Sequence, residues 1–277
     1  MRIGFAFNPT LPDARAALER GLAWCQAHGV DAWQAAAEDR EGVASACVGS
    51  DMVCILGGDG TFLRVARSIG DSGVPALGVN LGRVGFLAKV ETDGLERALE
   101  QVAGGDYTVE DRLRIAASVV RGDGTRETHA CLNEVAVARA GRVRMIQAEV
   151  EVSGSHLATW VADGVVVATP TGSTAYSFSA GGSILDPRLR NMIITPVAAY
   201  LSQLRSVVAG EDQVVRITLR QAAAGALVSI DGQWDLPLSI GEQVEVRALP
   251  VPLRLVEPAG STAFYDLLRT KAAALPY

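Results

Sequence analysis

Five consecutive apolar residues, Met52 to Leu56, run without a break into Gly57-Gly58-Asp59-Gly60-Thr61, and a helix-spaced stretch follows to Ile69. A short unbroken apolar run fits a strand covered on both faces, as in a parallel sheet. The chain must therefore pass from buried strand to helix through one glycine turn. That passage gathers backbone N–H groups and a helix N-terminus around a point, which favours an anion such as phosphate. The glycines let a ligand approach the backbone closely. Asp59 conflicts with simple phosphate binding, because a carboxylate repels the anion. The conflict resolves if Asp59 accepts the proton of a hydroxyl attacking a phosphoryl group, or holds a metal ion that neutralises it. The plainer alternative is a strand-to-helix turn in which Asp59 caps the helix. The turn is neither the G-x-x-x-x-G-K-[ST] loop nor the G-x-G-x-x-G fingerprint, so another segment must hold the nucleotide.

The surrounding hundred residues alternate short apolar runs with helical patterns, the signature of a parallel sheet with helices packed on it. Arg2 to Phe7 reads as a strand, Pro12 to His28 as a helix stopped by Gly29, Ala76 to Val79 as a strand and Asp93 to Val102 as a helix, with Asp93 and Glu96 spaced as a capping box. After Tyr107 the pattern changes to runs of β-forming residues: Leu113 to Val120, Glu134 to Ala138, Met145 to Val152, Val165 to Ala168, Val214 to Leu219, Leu227 to Ile230 and Val244 to Val246. Several alternate apolar and polar residues, as half-buried antiparallel strands do. With 277 residues the chain divides into an α/β domain over 1–105 and an all-β, sandwich-like domain over 106–258. Residues 261–277 carry Phe264, Leu267, Leu268 and Lys271 at helical spacing and are expected to return to the first domain.

Composition removes several classes of function. A formal net charge of −6 without a basic stripe argues against a nucleic-acid partner. The four cysteines show no C-x-x-C spacing and sit mostly in apolar stretches, as small core residues of a reducing compartment do. No run approaches the roughly 18 apolar residues of a membrane span, and the apolar N-terminal run is too short for a signal peptide. The expectation is a cytoplasmic protein. His28, His129 and His156 lack neighbours at ligand spacing, so no metal-ligating residue is assigned. The missing G-x-S-x-G motif and the lack of an obvious partner among the three histidines argue against serine-hydrolase chemistry.

Two further segments can carry chemistry. Thr169-Pro170-Thr171-Gly172-Ser173-Thr174-Ala175-Tyr176-Ser177-Phe178-Ser179-Ala180-Gly181-Gly182 joins hydroxyls, glycines and an aromatic ring, which suits ribose hydroxyls and a stacked base; by composition alone it is equally a Ser/Thr-rich loop. Asn133-Glu134 is a polar pair within an apolar stretch. An amide and a carboxylate can read an adenine edge and ribose hydroxyls, although one of the two can equally be solvated. Asp123-Gly124, Asp163-Gly164 and Asp231-Gly232 read as plain turns.

In this order, GGDGTFLR (57–64), GVNLGRVGFL (78–87), VEDRL (109–113), LNEV (132–135), DGVVVATPTGSTAYSFSAGG (163–182) and Asp231-Gly232-Gln233 closely resemble the bacterial NAD kinase family from about residue 50 onward. The GGDG turn alone is shared with lipid kinases and phosphofructokinases; the TPTGSTAY run with LNEV is far more specific. The resemblance implies a Rossmann-like N-terminal domain, a β-rich C-terminal domain that holds NAD, and a homodimer or homotetramer. It implies transfer of the γ-phosphoryl of ATP to the 2′-hydroxyl of the adenosine ribose of NAD, with a divalent cation such as Mg²⁺. By matching, Asp59 is the residue that activates this hydroxyl. Asn133 and Glu134 contact the adenosine part, Asp163 the nicotinamide end, and Thr174, Ala175, Tyr176, Ser177 and Ser179 the adenine and ribose. Gly58, Gly60, Arg64, Arg144, Ala198 and Gln233 fall at positions lining the site.

The chain departs from the family pattern over Thr195 to Ser206, where Tyr200 stands in place of a common His and Ser206 in place of a Pro. This leaves two alternatives: a relative acting on another nucleoside or sugar hydroxyl, and a catalytically silent dinucleotide sensor. The intact Asp59 argues against the sensor.

Overall fold

The structure, a computed structural model, describes residues 1–82, 85–141 and 144–274. In chain order its elements are β1 (Arg2–Phe7), α1 (Pro12–Ala27), β2 (Asp31–Ala36), α2 (Arg40–Ala46), β3 (Met52–Leu56), α3 (Asp59–Ile69), β4 (Ala76–Asn80), β5 (Val90–Glu91), α4 (Leu95–Ala103) and β6 (Tyr107–Arg112). There follow β7 (Ile115–Val120), β8 (Arg126–Cys131), β9 (Glu134–Arg139), β10 (Ile146–Val152), β11 (Ser155–Ala162), β12 (Gly164–Ala168) and α5 (Tyr176–Ser179). The last are β13 (Asn191–Val197), β14 (Val207–Gly210), β15 (Val215–Gln221), β16 (Ala226–Ile230), β17 (Trp234–Leu238), β18 (Gln243–Ala248), β19 (Leu253–Pro258) and α6 (Phe264–Ala274).

The chain forms two compact units, one of Met1–Asp111 with the segment from Val251 onward, the other Arg112–Pro250. The first is built on a sheet of order β2-β1-β3-β4-β19-β6, with β5 paired to β4. The pairs β1/β2, β1/β3, β3/β4 and β4/β19 are parallel, as the alternation of strand and helix requires. One face carries a core of Ile3, Phe5, Met52, Cys54, Leu56, Leu77 and Val79 packed with Leu18 of α1 and Leu95, Leu99 and Val102 of α4. Val53 and Ile55, on the opposite side of β3, are also buried. Strand β1 is followed by neighbours on both sides, β2 and β3, so the strand order reverses there; in open parallel sheets such a reversal, at the carboxyl ends of the strands, is where ligands bind. The Gly57–Gly60 turn leaves β3 at that end.

The expected boundaries at 105/106 and 258 shift, because β6 and β19 hydrogen-bond into the first sheet rather than into the β unit. The capping box does not form. A 3₁₀ turn, Thr92–Gly94, precedes α4, whose N-cap Gly94 has no side-chain cap, and Glu96 instead pairs with Arg20, whose Nε is 2.6 Å from Oε1. The Arg20 guanidinium holds the Glu96 carboxyl below its usual range. In α6 the Phe264 ring lies 5.7 Å from Phe86 and Lys271 Nζ lies 5.0 Å over the same ring. Leu275 of the expected C-terminal helix falls outside the described residues.

The second unit has two antiparallel six-stranded sheets, β11-β10-β15-β18-β7-β8 and β14-β13-β12-β9-β16-β17. Alternate residues of both sheets make one core, including Ile115, Val119, Val135, Val137, Val150, Trp160, Val165, Val167, Ile194, Ile217, Val228 and Val244. The middle strand β12 is buried along its whole length, since Val166 and Ala168 on its other side join Ala136, Ile193 and Leu185 in a second small core. Residues 169–185 are thereby anchored over this sheet. All four cysteines are buried thiols. No helix among the described residues is long and apolar enough to cross a membrane.

Candidate active site

In the first unit the site begins where β3 ends. Gly57 donates to Val79 O at 2.9 Å, which keeps the turn attached to the sheet. A Cβ at Gly57 would lie 2.5 Å from Thr61 Cβ, so only glycine allows α3 to start this close to the strand. At Gly58 and Gly60 an added Cβ would meet nothing within 4 Å, so the turn presents bare backbone to open space. Asn8, at the end of the neighbouring β1, donates its backbone N–H to Leu56 O at 3.2 Å, and its Nδ2 lies 3.5 Å from Thr61 Oγ1.

Asp59 is the first residue of α3 but does not cap it; the N-cap is Gly58, without a side-chain bond. Its carboxylate turns to the segment after β4 and accepts three backbone N–H groups: Phe86 at 2.9 Å to Oδ2, and Leu87 and Ala88 at 3.1 and 3.2 Å to Oδ1. The plain capping alternative is therefore not what the structure contains. Gly85 makes the grip possible, because a Cβ there would fall 1.8 Å from Asp59 Oδ1. A carboxylate offers about four acceptor positions, so with these three filled one lone pair remains on Oδ2. Arg64, one turn further along α3, is half-buried with no hydrogen bond or ion pair among the described residues. Arg83 and Val84, within the quoted GVNLGRVGFL segment, lie outside the described residues.

In the second unit Asn133 and Glu134 sit at the start of β9, and their backbone is held from both sides. Thr169 Oγ1 donates to Leu132 O at 2.5 Å and Thr169 N to Asn133 O at 2.8 Å. From the other side Asp231 accepts the N–H groups of Leu132, Asn133 and Glu134. A Cβ at Gly172 would come within 2.1 Å of Asn133 O, so glycine is required for the Thr169–Gly182 segment to pass so close. That segment is a 3₁₀ turn, Gly172–Thr174, followed by α5.

The two side chains so placed are incompletely satisfied. Asn133 Oδ1 and Glu134 Oε2 are buried oxygens with no hydrogen-bond partner among the described residues. Burial, and secondarily the charge of Asp231, push the Glu134 carboxyl up to about 8, opposed by a hydrogen bond from the Tyr176 backbone N–H. The folded protein thus keeps a proton that the unfolded chain, near its usual value of about 4.3, gives up. Glu134 accordingly contributes a stability that is complete below about pH 4.3 and is lost as pH rises through about 8. Melting temperatures of ligand-free protein between pH 4 and 9 should show this decline, and Glu134→Gln should flatten it. Parallel curves for the two proteins would contradict the assignment.

The other expected residues separate into groups. Tyr176 is 40% exposed, with its ring available for stacking, and Thr174 and Ala175 are half-buried. Ser177 is fully buried and its hydroxyl meets Thr195 Oγ1 at 3.1 Å, so it supports the segment from within; Ser179 is exposed. Asp163 lies at the opposite end of β12 from Thr169, about 20 Å away at 3.3 Å per residue. It is not a plain turn: it passes the chain from β11 in one sheet to β12 in the other, donates to Val197 O, and its carboxylate takes Arg139 Nε at 2.6 Å. Ala198, exposed with φ +48, follows Val197 at that end. Gln233 closes the turn after β16, its N–H donating to Ile230 O. Arg144 is exposed and without a partner among the described residues. Asp123-Gly124 forms the expected turn, with φ +84 at Gly124. Gly85, Thr169 and Asp231 lie in segments singled out in the sequence, but the sequence assigns none of them, nor Asn8, its supporting contacts.

Both halves match models of one class of phosphotransferase. The ATP-NAD kinase N-terminal domain matches residues 16–107 and the ATP-NAD kinase C-terminal domain residues 132–258. The NAD kinase of Heliobacterium modesticaldum is 41% identical over 221 residues, 80% of this chain and 78% of that protein. The NAD kinase of Natranaerobius thermophilus is 39% identical over 232 residues, 83% and 81% of the two chains. The chain belongs to the NAD kinase family. Its fold is also that of yeast NADH kinase complexed with NADH, with a TM-score of 0.83 at 21% identity over 99% of this chain and 87% of that one. An NAD kinase from Archaeoglobus fulgidus in complex with ATP gives 0.79 at 23% identity over the whole of both chains.

Proposed function

We propose that this protein is an ATP-dependent NAD kinase, which transfers the γ-phosphoryl of ATP to the 2′-hydroxyl of the adenosine ribose of NAD to give NADP and ADP. The observation that carries the acceptor is the pair of buried oxygens without a partner among the described residues, Asn133 Oδ1 and Glu134 Oε2, within the segment matched by the ATP-NAD kinase C-terminal domain. Such atoms are costly unless a ligand pairs with them: the Asn133 oxygen accepts, the Glu134 carboxyl, protonated below about pH 8, can also donate, and an adenine edge with ribose hydroxyls offers partners of both kinds. The second cluster, Asp163 with Ala198, stands about 20 Å away along β12, a separation suited to an acceptor with two nucleoside ends.

Asp59 is the general base of this reading. Its remaining lone pair on Oδ2 takes the proton of the 2′-hydroxyl as that oxygen bonds to the γ-phosphorus and the bond from phosphorus to the β,γ-bridging oxygen breaks. The Gly58 backbone, where an added Cβ would meet nothing, and Arg64, without a partner among the described residues, offer donors to the phosphate oxygens. The residues present do not fit a protein-held metal, since no group of three His, Cys, Asp or Glu among the described residues is placed to hold one and most acceptor positions of Asp59 are filled. The divalent cation, Mg²⁺ by expectation, belongs to the ATP substrate and rides on its phosphates. A homodimer or homotetramer in the cytoplasm completes the reading.

The test is turnover of purified protein with ATP and Mg²⁺ against NAD, NADH, free nucleosides and sugars. NADP formation with NAD as a better acceptor than any nucleoside or sugar is expected. No NADP under any condition, or clear preference for a non-dinucleotide acceptor, would overturn the proposal.

A further inference from the structure

We propose that Asp231 is a positioning residue for the acceptor: its carboxylate and backbone fix the Leu132–Glu134 segment so that the Asn133 and Glu134 side chains can meet the adenosine end of the dinucleotide. The inference rests on the reading that these two side chains contact that acceptor.

As a turn residue Asp231 has ordinary credentials. It precedes Gly232, both have positive φ, +50 and +61, and Gln233 N–H closes the turn on Ile230 O. Asn tolerates such a backbone equally well, and a side chain in a hairpin turn normally lies in solvent. Asp231 is instead only 6% exposed, with its carboxylate directed at a segment nearly a hundred residues earlier in the chain. Oδ1 accepts Asn133 N–H at 2.8 Å and Glu134 N–H at 3.2 Å, and Oδ2 accepts Leu132 N–H at 3.1 Å. Its own N–H donates to Glu134 O at 3.0 Å. Three donors spread over both oxygens require a carboxylate, because an asparagine amide would turn its NH₂ toward one of them.

The same placement puts a negative charge beside Glu134, which a merely structural clamp would do better to avoid. Around Glu134 the charged neighbour is Asp231; the residue paired with it on β12 is Ala168, and α5 contributes the backbone N–H of Tyr176. With Thr169 holding the carbonyls of Leu132 and Asn133, the local peptide groups are engaged on both sides. What remains for a ligand is the two side-chain oxygens. Asp231 thus holds the backbone from which these groups project and, after burial, adds to the proton affinity of one of them.

The experiment compares steady-state kinetics of the full-length protein with Asp231→Asn and Asn133→Ala, varying NAD and ATP separately from pH 6 to 9. Asp231→Asn should raise KM for NAD about tenfold and leave KM for ATP within about twofold, because the damage is confined to acceptor placement. The pH dependence due to Glu134 should move to lower pH once the neighbouring charge is gone. The double variant should cost less than the product of the single effects, since both act through one group. An Asp231→Asn protein with a lower Tm but unchanged KM for NAD and unchanged pH profile would make Asp231 structural only and overturn the proposal. If Asn133→Ala itself leaves KM for NAD unaltered, the underlying reading falls, and the inference with it. Should Asp231→Asn fail to accumulate folded, Asp231→Glu serves in its place: it keeps the charge but displaces the oxygens, so KM for NAD should rise without the shift in pH profile, and an unchanged KM would overturn the proposal.

Discussion

Replacing Asp59 by asparagine should lower kcat at least about 100-fold, or about 2.7 kcal/mol of transition-state stabilisation, while NAD still binds. Loss of a positioned base accounts for the rate. The hydrogen bonds around Asp59 sharpen the expectation. If the amide oxygen stays with Leu87 and Ala88 N–H, the Nδ2 group must face Phe86 N–H, donor against donor. The asparagine variant should therefore also lose thermal stability, since each charged hydrogen bond is worth about 1.5–3 kcal/mol. Because Asn133, Glu134 and their supports belong to the other unit, the dissociation constant for NAD should change little. Calorimetric NAD binding beside single-turnover rates separates the two quantities. Near-normal turnover would remove Asp59 as the base.

Gly85→Ala should be nearly as damaging without touching any ionisable group. The new Cβ would lie 1.8 Å from Asp59 Oδ1 and 2.3 Å from Cγ, far inside any real contact, so the carboxylate or the loop must move. The loop has little freedom, because Phe86 is packed against Phe264 and under Lys271 of α6. The carboxylate is therefore the part that yields, and a displacement of about 1 Å at a reacting group costs about 100-fold in rate. The expected result is a kcat about 100-fold lower with KM for ATP and NAD within about threefold. This variant also decides what the amide grip does. If the three N–H groups hold Asp59 in its working position, releasing it slows the enzyme; if they hold it out of action, releasing it raises kcat. An increase would contradict the role assigned to the Phe86–Ala88 amides.

What could be read from the sequence follows from where burial is complete. Strands β3, β7, β9, β10, β12, β15, β16 and β18 lie inside their sheets, and their apolar runs or alternations are plain. The strands at the sheet ends, β2 and β6, β11 and β8, β14 and β17, carry no such signal, and the short β5 and the inner strand β19 are not marked either. Edge strands need cover on fewer sides and carry polar or small residues, as Arg-Glu-Thr-His in β8 and Ala-Trp-Gln-Ala in β2 show. Strand β13 was hidden by Pro196, which reads as a breaker yet sits opposite Val165 in the ladder. Helix α2 has few apolar residues and is marked chiefly by Asp39, whose side chain caps Gly42 N–H.

At the site, the residues carrying the family motif were legible, but their physical partners were not. Asp59 was visible as a carboxylate in a glycine turn; that it grips amides 27 to 29 residues later is a consequence of how β4 pairs with β3. Asp231 was read as half of a turn because local pattern accounts fully for Asp-Gly there, whereas its contacts depend on β16 pairing with β9. Glu134 is the clearest case: its altered proton affinity arises from burial and from Asp231, neither of which is local in sequence.

The most direct test is the position of the new phosphate. NAD incubated with ATP, Mg²⁺ and the purified protein should yield a product whose phosphorus and proton NMR spectra place one phosphomonoester on the 2′-oxygen of the adenosine ribose. A phosphate on any other hydroxyl, or NAD recovered unchanged beside hydrolysed ATP, would contradict the account.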